Sequence, residues 1–269
     1  MEQALLSRSE AVPGAPDTVM AWEQVHAPAF GGETIEADGG ATVIRSALRT
    51  LGWWIRDYGY AAVWQVRAFA SRTDPHGFLS GDRSPVVVLP GVYETWRFLE
   101  PLIRRLHDDG HPVHVIDPLG RNDRTVPVAA RLVADYLVAT DLQDAVLLAH
   151  SKGGLVGKYV MSLGGSGDRI TGMVAVAAPF AGSRYARLML LPSLRIFVPN
   201  DPTILALARE AAVNPRIVSV YGRFDPHIPG GSRLDGAKNV QLDTGGHFRI
   251  LAHPRVFAEA RLLADGGDA

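Results

Sequence analysis

A serine at the end of a buried apolar run is the residue best placed for covalent chemistry. The run Ala145–Ala149 is followed by His150 and Ser151, and then by glycines that can open a helix. Small residues two positions before and after the serine, Ala149 and Gly153, let the strand and the helix approach closely around a sharp turn. The first N–H groups of a helix attract developing negative charge, so this geometry suits a serine that attacks a carbonyl group. The alternative is a serine that only caps the helix.

The pattern small-x-Ser-x-Gly between a strand and a helix resembles the nucleophile turn of the α/β-hydrolase family, with Ala149 where glycine is more common. Residues 178–183, Ala-Pro-Phe-Ala-Gly-Ser, are similar to the Thr-Pro-His-x-Gly-Ser stretch of lipases. The resemblance covers about residues 84–262 and points to lipase-like or esterase-like bacterial serine hydrolases, whereas residues 1–83 match no family. It implies a triad whose members follow one another along the chain as serine, acid and histidine.

A histidine beside the serine is the next requirement, because serine is a weak nucleophile until an imidazole takes its proton. In the chain order that the resemblance implies, the histidine follows Ser151, and three histidines do so: His227, His247 and His253. His247 lies in a glycine-rich loop just after the last predicted strand, whereas His227 precedes that strand and His253 begins the final helix. We therefore predict that His247 is the general base.

The acid that orients this histidine is predicted to be Asp225, which follows the apolar run Ile217–Tyr221. The family carries its acid in the loop at the carboxyl end of this strand, and the resemblance assigns that role to Asp225. Asp243 is the alternative, because it lies only four residues before His247. Asp225 would then only stabilise the turn at Pro226.

A loop for the oxyanion is predicted after the first strand. Pro90-Gly91-Val92 stands where the family has His-Gly-x, and a Pro-Gly version resembles the loop of cutinase-like polyester hydrolases. We expect the backbone N–H groups of Val92 and Lys152 to form the oxyanion hole. Tyr93 is the alternative to Val92.

Aromatic and apolar side chains close to these loops are predicted to contact the substrate. They are Tyr93, Trp96, Phe180, Leu190 and Phe197. Segment 184–198 is more apolar than an exposed loop should be, which predicts either an acyl-binding wall or short lid, or a core helix. Aromatic residues are also dense in 53–69, where helices either pack on the core or wall a hydrophobic substrate entrance.

The elements that position these residues follow from hydrophobic periodicity. Continuous apolar runs alternate with helical patterns from Pro85 onward, which predicts a doubly wound, mostly parallel α/β sheet with six core strands in the order 2-1-3-4-5-6. The predicted strands are Pro85–Leu89, Val113–Ile116, Ala145–Ala149, Met173–Ala178, Ile217–Tyr221 and Asn239–Leu242. The predicted helices of this region are Leu99–His107, Pro127–Ala139, Gly153–Ser162, Thr203–Ala212 and Pro254–Ala264.

The domain organisation is predicted in three parts. Residues 1–40 lack a sustained hydrophobic periodicity and are predicted to form an N-terminal arm. Residues 41–83 are predicted to form an N-terminal helical extension without strands. Residues 84–269 form the α/β-hydrolase core, with a short cap segment at about 184–202.

The composition of the 269-residue chain excludes several function classes. The chain has 27 basic and 28 acidic residues and a net charge of −1, so no nucleic-acid-binding face is predicted. The absence of cysteine excludes disulfides, thiolate metal sites and a cysteine nucleophile. We expect no metal and no cofactor. Neither a secretory signal nor a transmembrane segment is evident, so a cytoplasmic location is expected.

Together these patterns predict a serine hydrolase that cleaves carboxylic esters with a hydrophobic acyl group through an acyl-enzyme. The expected partner is a small-molecule ester or lipid, and transient contact with a lipid interface is compatible with this prediction. An acyltransferase or amidase with the same triad is one alternative, because a fold does not determine the reaction. A catalytically silent binding protein with a hydrolase fold is another.

Overall fold

The computed structural model of the protein describes residues 38–188 and 192–269. Within them lies a sheet of six strands in the order β2-β1-β3-β4-β5-β6, with every neighbouring pair parallel. The strands are β1 (Val86–Leu89), β2 (Val113–Val115), β3 (Ala145–His150), β4 (Ile170–Val176), β5 (Ile217–Phe224) and β6 (Lys238–Gly245). The predicted strand number, direction and order are confirmed.

Helices cover both faces of the sheet, which explains why its central strands are continuous apolar runs. The helices are α1 (Asp38–Ala70), α2 (Glu100–Asp108), α3 (Val126–Ala139), α4 (Lys152–Ser162), α5 (Pro192–Arg195), α6 (Pro202–Arg209) and α7 (Pro254–Ala264). Val87 and Leu89 of β1 pack in the cluster with α3, α4 and α6. Val86 and Val88 pack in the cluster with α2 and α7.

The N-terminal region, for which a helical extension was predicted, forms one continuous helix of 33 residues, α1, that begins at Asp38. The described residues 38–83 contain no strand. Apart from its last residues, the predicted arm lies outside the described part of the chain. None of the helices in residues 38–188 and 192–269 is long and apolar enough to cross a lipid bilayer.

Helix α1 is anchored at the carboxyl end of the sheet. Trp53 stacks on Phe224 at the end of β5, with a centroid separation of 6.2 Å, and Tyr60 packs edge-on against Phe98. A Cβ added at Gly245 would collide with the Trp53 ring, so only glycine lets β6 approach the helix so closely. As a result, α1 lies against the loops that follow β1, β5 and β6.

Candidate active site

Ser151 occupies a strained turn between β3 and α4. Its φ of 51° and ψ of −119° lie in a region that residues with a side chain rarely adopt. A Cβ at Gly153 would collide with the backbone oxygen of Leu89, and a Cβ at Gly154 would collide with the side chain of Ala178. The two glycines therefore allow α4 to start directly beneath the serine, which projects its hydroxyl at the end of the sheet.

Three side chains from separate loops form an unbroken series of hydrogen bonds. His247 Nε2 lies 2.9 Å from Ser151 Oγ, and His247 Nδ1 lies 2.8 Å from Asp225 Oδ2. A carboxylate accepts, so Nδ1 carries the hydrogen and Nε2 of the neutral ring is left to accept from the serine hydroxyl. This tautomer is the one that can take a proton from serine.

The Asp225 carboxylate is held in place by its own loop. Its Oδ1 accepts hydrogen bonds from the backbone N–H groups of His227 at 2.7 Å and Ile228 at 3.1 Å. Asp243 instead lies at the surface with its side chain 78% exposed, 3.4 Å from Arg223. The structure therefore brings Asp225, and not Asp243, to the histidine.

The Pro90–Val92 loop reaches the same place from β1. Glu94 Oε2 accepts from the N–H of Gly91 at 2.8 Å, and Asn122 Nδ2 donates to the oxygen of Pro90 at 2.7 Å. Val92 lines the cavity beside Ser151. Lys152 is the first residue of α4, where helical N–H groups have no partner four residues back. Both backbone groups predicted for the oxyanion hole therefore belong to segments that border the serine.

A largely apolar cavity of about 530 Å³ opens above Ser151 and His247. Helix α1 contributes one wall, formed by Tyr58, Ala61, Ala62 and Gln65. The segment after β4 contributes another, formed by Ala186, Leu194 and Phe197. The volume falls in the range of sites that enclose most of a small organic ligand. A substrate in this cavity would present one end to the serine and pack its apolar part between the two walls.

Comparison with known proteins identifies the architecture. No protein-family model matches the chain. Lipase BlEst2 of Bacillus licheniformis in its mature form is 15% identical with a TM-score of 0.56, over 68% of this chain and 92% of that one. Its propeptide form is 13% identical with a TM-score of 0.57, over 69% and 53% of the two chains. BpoC of Mycobacterium tuberculosis, named as a non-heme bromoperoxidase, is 15% identical with a TM-score of 0.53. The match covers 69% of this chain and 93% of BpoC.

The chain has the α/β-hydrolase fold. The lipase and the bromoperoxidase share this fold under different names, so the likeness alone does not select a reaction. The side chains at the carboxyl end of the sheet determine the reaction.

The site shifts the pKa values of His247 and Asp225 in opposite directions. Burial lowers the pKa of His247, but the charge and hydrogen bond of Asp225, together with smaller contributions from other carboxylates, outweigh it, so the pKa is raised from its ordinary value. Burial raises the pKa of Asp225, but the charge and hydrogen bond of His247, together with smaller contributions from His227, outweigh it and the pKa is lowered. Asp225 therefore stays ionised and stabilises positive charge on the imidazole.

The Lys152 side chain turns away from the cavity, although its backbone borders the serine. It is fully buried, and its Nζ donates to the backbone oxygen of Asn122 at 2.7 Å and to that of Arg124. Burial lowers the pKa of Lys152 to about 8, with Asp123 partly opposing the shift. Its side chain thus fastens the loop behind the site rather than meeting a ligand.

The predicted substrate contacts divide into two groups. Tyr93 and Phe197 line the cavity. Trp96 and Phe180 do not: Trp96 is buried 6.2 Å from the ring of Phe78, and Phe180 packs in the cluster with α3 and α4. Trp96 begins a short helix whose turn directs its ring inward, an orientation that proximity in sequence does not reveal. The fifth residue, Leu190, lies outside the described residues.

Several cavity residues were not among the predicted sites. Tyr58 and Gln65 come from α1, and the aromatic density of 53–69 was the signal for that wall. The His227 ring stacks on His247 with 4.6 Å between centroids, and its Nε2 lies 3.1 Å from Tyr58 Oη. Burial first, and then the neighbouring His247, lower the pKa of His227 to about 4, so it is uncharged at neutral pH. Nothing in the sequence indicated this stacking.

A second buried pair lies behind the histidine. His150 Nδ1 lies 2.8 Å from Glu94 Oε2, and His150 Nε2 lies 3.0 Å from the backbone oxygen of His247. A carbonyl oxygen only accepts, so this Nε2–H donates. Because the same Glu94 oxygen holds Gly91, the pair joins the oxyanion loop to the histidine loop. These partners are 56 and 97 residues apart, so the sequence contained no signal for them.

Proposed function

We propose that this protein is a serine hydrolase that cleaves carboxylic esters with a hydrophobic acyl group. The observation that carries the proposal is the hydrogen-bonded series Ser151–His247–Asp225 at the base of an apolar cavity. A serine of that kind is activated by its neighbour and needs no cofactor for acyl transfer to water.

In the proposed reaction, Ser151 Oγ attacks the ester carbonyl carbon while His247 Nε2 takes the hydroxyl proton. The tetrahedral intermediate collapses, the bond to the alcohol oxygen breaks, and the imidazolium returns its proton to that oxygen. Water then attacks the acyl-serine with His247 again acting as base, which releases the acid and restores the serine. Asp225 keeps the imidazole in the required tautomer throughout.

The intermediate's negative oxygen is proposed to lie between the N–H groups of Val92 and Lys152. Each such donor typically contributes about 2.7–4 kcal/mol to lowering the barrier. The hydrogen bonds of Glu94 to Gly91 and of Asn122 to Pro90 fix this loop before substrate arrives. A prearranged loop loses little energy to reorganisation when charge develops.

The proposal is tested with p-nitrophenyl esters from acetate to palmitate and with a fluorophosphonate probe. We expect turnover of the esters and labelling of Ser151, because the same activated hydroxyl attacks both reagents. A folded protein that neither hydrolyses the esters nor reacts with the probe would favour the silent binding protein. If the probe labels Ser151 but the protein hydrolyses only amides, amide hydrolysis would be favoured over ester hydrolysis. If the labelled protein only transfers acyl groups to another acceptor, acyl transfer would be favoured.

A first expected outcome concerns the wall formed by α1. Ala62 lines the cavity, so Ala62→Trp should raise KM for long-chain esters about tenfold and leave the acetate ester nearly unchanged. Val63→Trp is the matched control, since Val63 is 51% exposed and does not line the cavity. Steady-state kinetics on both esters check this. Equal effects of the two substitutions would place the acyl group elsewhere.

A second expected outcome is the pH dependence. Catalysis requires Nε2 of His247 to be unprotonated, and the negative charge of Asp225 raises the His247 pKa despite burial. Activity should therefore be lost as pH falls through a midpoint that is raised relative to an ordinary histidine. The profile of kcat/KM for an ester without ionisable groups measures this midpoint. A midpoint that is not raised relative to an ordinary histidine would contradict the assignment of the acidic limb to a carboxylate-paired histidine.

A further inference from the structure

A buried carboxylate on α1 binds the backbone that carries His247. Asp57 is fully buried, and its Oδ2 accepts from the N–H of His247 at 2.8 Å. Its Oδ1 accepts from the N–H of Phe248 at 2.8 Å and from that of Arg249 at 2.7 Å. Three consecutive backbone donors thus converge on one side chain that is about 190 residues away in sequence. The reaction as described above does not use Asp57.

The loop that Asp57 binds has high intrinsic backbone freedom. Gly245 and Gly246 precede the histidine, and glycine has the greatest backbone freedom of all residues. Gly246 adopts a φ of +118°, and a Cβ there would collide with the Asp57 carboxylate. The glycine and the carboxylate therefore fit each other, and α1 lies directly against the turn that delivers His247.

Three of the four hydrogen-bonding groups of His247 are held by three different parts of the chain. Its backbone N–H is bound by Asp57 on α1, its backbone oxygen by His150 at the end of β3, and its Nδ1 by Asp225. Asp225 fixes the orientation of the imidazole ring, and the two backbone contacts fix the position of the main chain that carries it. Small displacements of a catalytic group are costly, since about 1 Å can lower the rate about 100-fold.

We propose that Asp57 is a positioning residue for His247, and that the N-terminal helix α1 thereby belongs to the catalytic machinery of this hydrolase. The inference rests on the proposed function of Ser151, His247 and Asp225. Asp57 does not touch the reacting atoms; it acts through the backbone of residues 247–249. Its negative charge also lies close enough to raise the His247 pKa, as a smaller contributor than Asp225 and Glu94.

The decisive variant is Asp57→Asn in the full chain. An amide has one oxygen, so its NH₂ group would face an N–H donor and repel it. We expect kcat to fall about 100-fold with KM nearly unchanged, because the histidine is displaced while the cavity is not. The acidic midpoint of the kcat profile should also move to lower pH, because a negative charge near His247 is lost.

A matched control separates positioning from loss of a buried carboxylate. Glu259 on α7 is 2% exposed and pairs with Lys238 and Arg255, away from the cavity. Glu259→Gln should lower the melting temperature without moving the pH midpoint or kcat. If Asp57→Asn retains kcat within about threefold, or loses stability without a shift of the midpoint, the positioning role is overturned.

Two measurements do not depend on turnover. NMR titration of ¹⁵N-labelled histidine should give a lower His247 pKa in Asp57→Asn than in the wild type, even if no ester is hydrolysed. Hydrogen exchange of the wild type should show protected amides at 247–249, which keeps the proposal testable if the variant does not fold. Rapid exchange there would refute the Asp57 contacts, whereas an inactive wild type with protected amides would refute only the proposed hydrolase function.

Discussion

Replacing Ser151 with alanine is expected to lower kcat for ester hydrolysis by about 10⁶-fold and to abolish fluorophosphonate labelling. The hydroxyl that accepts the acyl group is removed, and neither His247 nor the oxyanion loop can substitute for it. Alanine is smaller than serine, so the strained turn and the cavity should persist. Kinetics, mass-spectrometric mapping of the labelled residue and the melting temperature measure these effects together.

The control for this experiment is Ser162→Ala, at the far end of the same helix α4. Ser162 Oγ donates to the backbone oxygen of Lys158 and lies outside the cavity lining. This variant should keep its labelling and its kcat. If Ser151→Ala still hydrolyses esters, or if the probe labels another serine in the wild type, Ser151 is not the nucleophile.

Replacing Asp225 with asparagine is expected to lower kcat by about 10⁴-fold. The amide cannot serve as the carboxylate that keeps hydrogen on Nδ1, so His247 takes the tautomer with hydrogen on Nε2 and can no longer accept the Ser151 proton. The substituted side chain would retain an oxygen for the N–H groups of His227 and Ile228, so the loop should keep its shape. The melting temperature should therefore change little while the rate collapses.

Asp243→Asn is the matched comparison, because the same change is made at the rival carboxylate. Its side chain is 78% exposed beside Arg223, and exposed ion pairs contribute little. We expect less than about a tenfold loss of kcat, since the His247–Asp225 hydrogen bond is untouched. The opposite ranking in two folded variants would transfer the acid role to Asp243 and leave Asp225 as a turn residue.

Local sequence was enough to predict most of the framework. Most of the runs that became β1 to β6 are continuous and apolar, as close packing between two layers of helices requires. The glycines after Ser151 follow from the backbone freedom that a sharp turn needs. Both rules act within a few residues. The parallel order followed because alternating strands and helices allow few arrangements. Chain order and the resemblance then placed Asp225 and His247 on loops at one sheet edge, and the structure brings both to Ser151.

Contacts between distant segments were decided only by the tertiary structure. Trp96 is adjacent to the predicted oxyanion loop in sequence, yet a short helix turns its ring into the core. Asp57 is one charged residue within the aromatic-rich segment 53–69, and only the packing of α1 against the sheet brings it to the backbone of His247. Periodicity reports which face of a helix is buried, but not which loop lies beneath it. The partner of a buried carboxylate depends on where the helix docks, and contacts along the whole chain determine that.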